Sequence, residues 1–356
     1  MRRRRFLAVT GAAATLSTAG CAGLFGTTTQ STGRAPPLVE NRPDAVYIPS
    51  HVEGMEMAGS ATSGGYRFSL SYSFPHRFWR TTGDRTNKVD IADSDSVHLM
   101  VTAWDDETGT VVPSSAAAVS ATKDGSGVLS NKNLWSMLSQ NMGVHFGDNV
   151  ELDGDGVYDV TVDFGPVNTR LAGALADRST EQQSVTIEMP FDGETLEGVS
   201  FERLDDRKGE RDAVDPMSME MRPSGQAPQK DDLPGRFLAE GTSGDATVLV
   251  TALDAIPAGV DGEGTYLAVS ARTPYNRYPL PFMSLSATLS RDGETVFRGD
   301  LTDTLHPDLA YHYGAVVDGV QSGDTLELTV DAPPQIARHE GYETAFRSMD
   351  PLELTL

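Results

Sequence analysis

Apolar and polar residues alternate along most of this chain with a period of two, the repeat of a pleated strand whose successive side chains face opposite sides. The pattern is clear over Tyr66–Tyr72, Ser96–Trp104, Val157–Asp163, Ser184–Met189, Ala246–Thr251, Thr265–Ala271, Met283–Leu289 and Thr325–Val330. Asp-Gly, Gly-Asp and Pro separate these segments, as turns between short strands require. Helical periodicity is absent except over Thr169–Asp177. The expected fold class is all-β, built from β-sandwiches.

The ends and the middle break the alternation. Arg3-Arg4-Arg5-Phe6-Leu7 opens a twin-arginine type leader, a short apolar run follows, and Thr18-Ala19-Gly20-Cys21 has the form of a lipobox. That run is too short for a permanent span, which needs roughly 20 apolar residues. Residues 1–20 are therefore expected to be a signal peptide. Cys21 then becomes the lipidated start of a protein held on the extracytoplasmic face of the cell membrane; the alternative for Cys21 is a buried thiol. As the single cysteine, it excludes a disulfide framework or thiolate cage. Residues 21–47, rich in Thr, Ser, Gly and Pro, read as a flexible tether. Residues 48–205 form the first expected domain, the charged and Pro-rich stretch 206–234 a linker, and 235–356 the second domain.

Formal charge is −23, spread evenly rather than in blocks. Such a surface repels nucleic acid and anionic headgroups, and its even spread suits solvation in high salt, so a halophilic source is expected. Hydrolytic chemistry has no support: there is no Gly-x-Ser-x-Gly elbow and no His-Glu-x-x-His arrangement, and the chain is not expected to be an enzyme.

An internal repeat organises the rest. His145-Phe-Gly leads to Val150, Thr161-Val-Asp163, Pro166 and Arg170; His312-Tyr-Gly leads to Val317, Thr329-Val-Asp331, Pro333-Pro334 and Arg338. With one residue of slip at the turn, His339 falls opposite Leu171 and Leu305 takes the place of Met137. The chain reads as two copies of one domain.

Seven histidines are available, His51, His76, His98, His145, His306, His312 and His339. Several stand at strand ends near methionines, and neutral imidazole with thioether suits copper, while imidazole with carboxylate suits Fe, Mn or Zn. Met217-x-Met219-x-Met221 reads first as sheet packing and second as a soft Cu(I) ligand run. Pro75-His76-Arg77-Phe78-Trp79 reads first as strand-end packing and second as a pocket rim or ligand source. Asp153-Gly-Asp-Gly156 matches a β-turn better than a calcium loop.

Gly54-Met55-Glu56-Met57, Val97-His98-Leu99-Met100-Val101 and Met137…His145-Phe-Gly-Asp-Asn-Val150 together resemble the small periplasmic iron-uptake proteins of the Fe2+ transport family. The resemblance implies Ig-like sandwiches that bind copper and iron beside an oxidase-type iron permease. It implies a ligand set of His98, Met137 and His145 in the first copy, with Met57 or Met100 near, and of His312 and His339 in the second. Two departures matter: Met100 stands where the family has glutamate, and Leu171 where it has a last histidine. In the second copy Tyr266-Leu-Ala268 replaces His-Leu-Glu, and His306 stands next to Leu305. Either the first copy alone holds a soft metal, or His98, His145, His312 and His339 converge between copies, or the fold persists without the site. The implied function is a membrane-anchored protein that captures a copper or iron ion for a transporter. The competing one is a cell-surface Ig-like lipoprotein with a structural or interaction role and no metal. Expected partners are an iron permease or other membrane transporter, the membrane through the lipid anchor, a possible second copy as homodimer, and no nucleic acid.

Overall fold

A computed structural model describes residues 35–113, 115–218 and 222–356. The leader, Cys21, Met219 and Met221 lie outside the described residues. The first half contains β1 (His51–Glu53), β2 (Glu56–Ser63), β3 (Tyr66–Ser73), β4 (Phe78–Thr82), β5 (Arg85–Val89), β6 (Val97–Asp105) and β7 (Ala117–Lys123). It continues with β8 (Ser126–Ser139), β9 (Gly143–Val150), β10 (Gly156–Phe164), β11 (Arg170–Leu171), β12 (Gln183–Phe191) and β13 (Phe201–Arg203). The second half contains β14 (Arg236–Ser243), β15 (Ala246–Leu253), β16 (Thr265–Arg272), β17 (Ser284–Arg291) and β18 (Glu294–Asp300). It ends with β19 (Thr302–His306), β20 (Ala310–Val317), β21 (Thr325–Ala332), β22 (Ala337–Arg338) and β23 (Leu352–Thr355). The fold is an all-β sandwich assembly.

In each half one sheet packs on another. The order β8-β9-β6-β3-β2 in the first half matches β19-β20-β16-β15-β14 in the second, and β12-β10-β7-β8 matches β23-β21-β17-β18. The long β8 serves both first-half sheets, whereas its counterpart is cut in two at Leu301. Burial follows the pairing: β12 alternates buried and exposed along its length, as a sheet wet on one face must. By contrast, β6 and β9 are buried at every position, so both of their faces are covered. Val97, Leu99, Val101, Val144 and Phe146 face the apolar core shared by both halves. His98, Met100 and His145 point the other way.

What covers that other face is an exchange of strands between halves. β11 leaves the first half and pairs in parallel with β19, and β22 leaves the second half and pairs in parallel with β8. Thr169–Asp177 is therefore not a helix but β11 followed by a 3-10 turn at Gly173–Leu175, because its backbone groups are claimed by β19. The pairings also remove the one-residue slip from the repeat. Met137 faces His145 as Thr304 faces His312, and Leu138 O accepts from His339 N as Leu305 O accepts from Ala172 N. The counterpart of Met137 is thus Thr304 rather than Leu305, and that of His339 is Ala172 rather than Leu171.

Two further expectations change. Ala45, Val46 and Tyr47 are fully buried, with Val46 N on Asp245 Oδ2 and Tyr47 N on Gly341 O, so the chain is pinned before residue 47. Within 206–234, Ile48 N bonds Glu210 O, Val214 N bonds Gln140 Oε1, Met217 N bonds Asn141 O and Ala227 N bonds Arg277 O. The described residues on either side of 219–221 run as a strap along the seam, because their polar backbone finds partners there.

Candidate metal centre

Three strands and one exchanged tail build the site. Residues paired across neighbouring strands share a face, and the pairs His98–Asn149, Met100–Gly147 and Met137–His145 put these six side-chain positions on the outer face of the first-half sheet. Gly147 leaves the room that the His98 ring uses: a Cβ there would stand 2.7 Å from His98 Nε2. β22 lies between β8 and β4, with Arg338 opposite both Leu138 and Trp79, and so delivers His339 onto this face. The β4–β5 hairpin, absent from the second half, delivers His76 from the residues just before it.

Four imidazoles meet there. Ring centroids are 4.0 Å apart for His76 and His98, 4.7 Å for His76 and His339, 5.5 Å for His98 and His339, and 5.2 Å for His145 and His339. The ligand atoms of His76, His98 and His339 all lie within 4.8 Å of one another. Metal–nitrogen bonds of about 2 Å place two nitrogens of one ion at most about 4 Å apart, so small ring rotations would suffice to close the set.

The hydrogen bonds fix the tautomers. His98 Nδ1 donates to Asn149 Oδ1 at 2.8 Å, His145 Nδ1 to Gly143 O at 3.1 Å, and His76 Nδ1 to Phe74 O at 3.1 Å. Each bond leaves Nε2 as the acceptor nitrogen. Asn149 also donates from Nδ2 to His76 O at 3.0 Å, tying two ligands' supports together. The Nε2 atoms of His76, His98, His145 and His339 are all buried without a hydrogen-bond partner. Orphaning a buried polar atom costs about 1–3 kcal/mol, so four in one place is an expensive arrangement unless something takes their lone pairs. Burial holds all four rings neutral: His98 falls to about 4 and His145 to about 3, and His76 and His339 drop well below the usual imidazole value. Neutral imidazole is the form that ligates a metal.

The surroundings lock the tail in place. Glu340 accepts from Arg77 Nη2 at 2.6 Å and from Ser50 N at 2.9 Å, and so fixes the residue after His339 to the residue after His76. Glu343 accepts from Tyr47 Oη at 2.6 Å and from Gly341 N at 2.8 Å. Gly341 has a φ of +95°, and a Cβ on it would collide with Gln140 Nε2 and Tyr47 O.

Of the residues singled out in the sequence, His98, His145 and His339 are brought together. Met100 lines the cavity beside His76 and His339, joined by Met55 and Met142. Met137 is fully buried beside Phe78 and Ala337, directly across from His145. Met57 sits at a β-bulge on the outer strand and does not line the cavity. His312 does not join: its Nε2 is 3.0 Å from Tyr266 Oη and its Nδ1 donates to Ala310 O at 3.0 Å. The convergence between copies therefore uses His76 in place of His312. The sequence signal for His76 was the aromatic, basic cluster Pro75–Trp79. Glu53 was missed entirely; on β1, it brings a carboxylate to the cavity, with Oε2 3.9 Å from His76 Nδ1. It faces the far nitrogen of His76, the position from which a carboxylate orients a ligand ring.

Residues 231–355 match the model of a domain of unknown function, DUF7350. No curated protein matches the chain. Among solved structures it is similar to FetP of uropathogenic E. coli strain F11, at 14% identity over 40% of this chain and 96% of that one, with a TM-score of 0.29. A copper-bound variant of that FetP is similar at 17% identity over 38% and 97%, with a TM-score of 0.29. Copper-reconstituted P19 from Campylobacter jejuni is similar at 15% identity over 39% and 96%, with a TM-score of 0.29.

Proposed function

We propose that this is a lipid-anchored extracytoplasmic protein that captures a copper or iron ion and supports iron uptake by a membrane transporter, without catalysing a reaction of its own. The observation that carries it is the set of four buried, neutral and unpartnered imidazole Nε2 atoms on His76, His98, His145 and His339, whose rings contact one another through His339, with His76 and His339 lining the cavity. Imidazoles backed by thioethers at Met100 and Met142 suit copper before iron, since Glu53 stands behind His76 and not among the converging nitrogens. The lipobox at Cys21 and the Gly-Met-Glu and His-aromatic-Gly motifs support the location and the transport role.

Metal analysis of the purified mature protein tests this. Stoichiometric binding of added copper or iron is expected, and it should vanish in the His98→Ala/His145→Ala double variant. A folded wild-type protein that takes up neither ion would leave the surface lipoprotein without metal as the better account.

A further inference from the structure

Beside the imidazole cage lies a positive charge with no carboxylate to neutralise it among the described residues. Arg222, in the strap between the halves, is only 8% exposed. Its Nη1 donates to Thr102 Oγ1 at 3.0 Å, its Nη2 donates to the carbonyl of Met142, and its Nε has no partner. Both anchors belong to the site. Thr102 lies two residues beyond Met100 on β6, hence on the same face, and Met142 lines the cavity three residues before His145. Of the other guanidiniums, Arg77 beside the cage has Glu340 at 2.6 Å. The buried Arg338 and Arg272 also make no ion pair among the described residues, but they are spent away from the cavity, on the carbonyls of Ala345 and Pro334 and on Ser270 Oγ and the carbonyl of Pro228.

A fixed charge of +1 opposes a divalent ion twice as strongly as a monovalent one at the same distance, and a dry surrounding enlarges the difference. We propose that Arg222 sets the charge preference of the cage, favouring monovalent copper over divalent copper and over divalent iron. This rests on the metal-binding function proposed above and adds the valence of the ion. Arg222 acts through its field and through the backbone of Met142; it is a positioning residue and not a ligand.

Redox titration of the copper-loaded protein, followed by the Cu(II) electron paramagnetic resonance signal, provides the test. Arg222→Gln should lower the ratio of Cu(I) to Cu(II) affinity roughly tenfold, equivalent to a fall of about 59 mV for a one-electron couple. Arg222→Met, uncharged and of similar volume, should show the same fall and stands in if the glutamine variant does not fold. Arg222→Lys should restore the wild-type potential, and Thr102→Val, which loosens one anchor but keeps the charge, should leave it in place. Neutral variants with the wild-type potential, or a lysine variant that falls as far as they do, would overturn the charge argument while leaving copper binding intact. A wild-type protein that binds no copper in either state would instead overturn the function on which it rests.

Discussion

On the outer face of the first half, β6 and β9 present His98, Met100 and His145, and the exchanged tail adds His339. On the matching face of the second half, β16 and β20 present Tyr266, Ala268 and His312, and the exchanged tail adds Ala172. The surroundings have diverged in step. Tyr266, Ala268 and Leu309 form an apolar cluster closed over by Leu233, Leu253, Ile256, Val260 and Val316. His312 spends both ring nitrogens on protein partners, and a Cβ on Gly314 would strike Tyr266 Oη just as one on Gly147 would strike His98 Nε2. The pair shows how little separates a ligand site from a packed seam: the same backbone and the same glycine, with phenol for imidazole, threonine for methionine and alanine for histidine. A buried polar group is normally matched, and the second half matches His312 internally while the first leaves four imidazole nitrogens without a partner.

The sharpest way to break this contrast is to strip each face in turn. The His98→Ala/His145→Ala variant should lose metal uptake altogether, whereas His306→Ala/His312→Ala should retain it at wild-type stoichiometry, as read by metal analysis after gel filtration. Equal losses from both would show that the ions sit elsewhere. Rebuilding is the converse: Tyr266→His/Thr304→Met/Ala172→His should raise the stoichiometry from one ion per chain to two, and an unchanged value would mean that the apolar cover, not the ligand set, closes the second face.

A smaller effect is expected at the supports. Asn149→Ala frees His98 to rotate and should weaken metal binding by roughly 10–100-fold, measured by competition with a chelator. Acid sharpens the comparison further. His98 and His312 both fall to about 4 and His145 to about 3, below the 6.5 of the unfolded chain, so as pH drops the unfolded state binds protons first. Metal-free protein should therefore keep its full stability above about pH 6.5 and lose it progressively towards pH 4. Added copper should move the acid-unfolding midpoint down in the wild type and leave it unmoved in the His98→Ala/His145→Ala variant. Smallest of all, Tyr266→Phe should cost about 1–3 kcal/mol in denaturant unfolding by orphaning His312 Nε2, with metal affinity unaltered.

Much of this was legible along the chain because strand periodicity is local. The alternating segments became strands within a residue or two, and the shared His-aromatic-Gly marked equivalent positions on β9 and β20. His98 and His145 could be named as candidates because each lies in a motif of its own strand. His76 and Glu53 could not be placed with them, since a hairpin before β4 and the short β1 join the cavity only through contacts distant in sequence. The slip assumed in the repeat placed His339 opposite Leu171, and only the parallel pairings of β11 and β22 corrected it.

By itself the sequence determined an all-β chain and singled out its histidine- and methionine-bearing motifs, because side-chain alternation and residue chemistry are properties of short segments. The tertiary structure alone decided that the halves trade strands, that His339 serves the partner sheet, and that one outer face leaves four imidazole nitrogens without a partner while the histidine of the other is satisfied. Those outcomes depend on which nitrogens find a donor once water is excluded, and that is settled by neighbours brought from elsewhere in the chain.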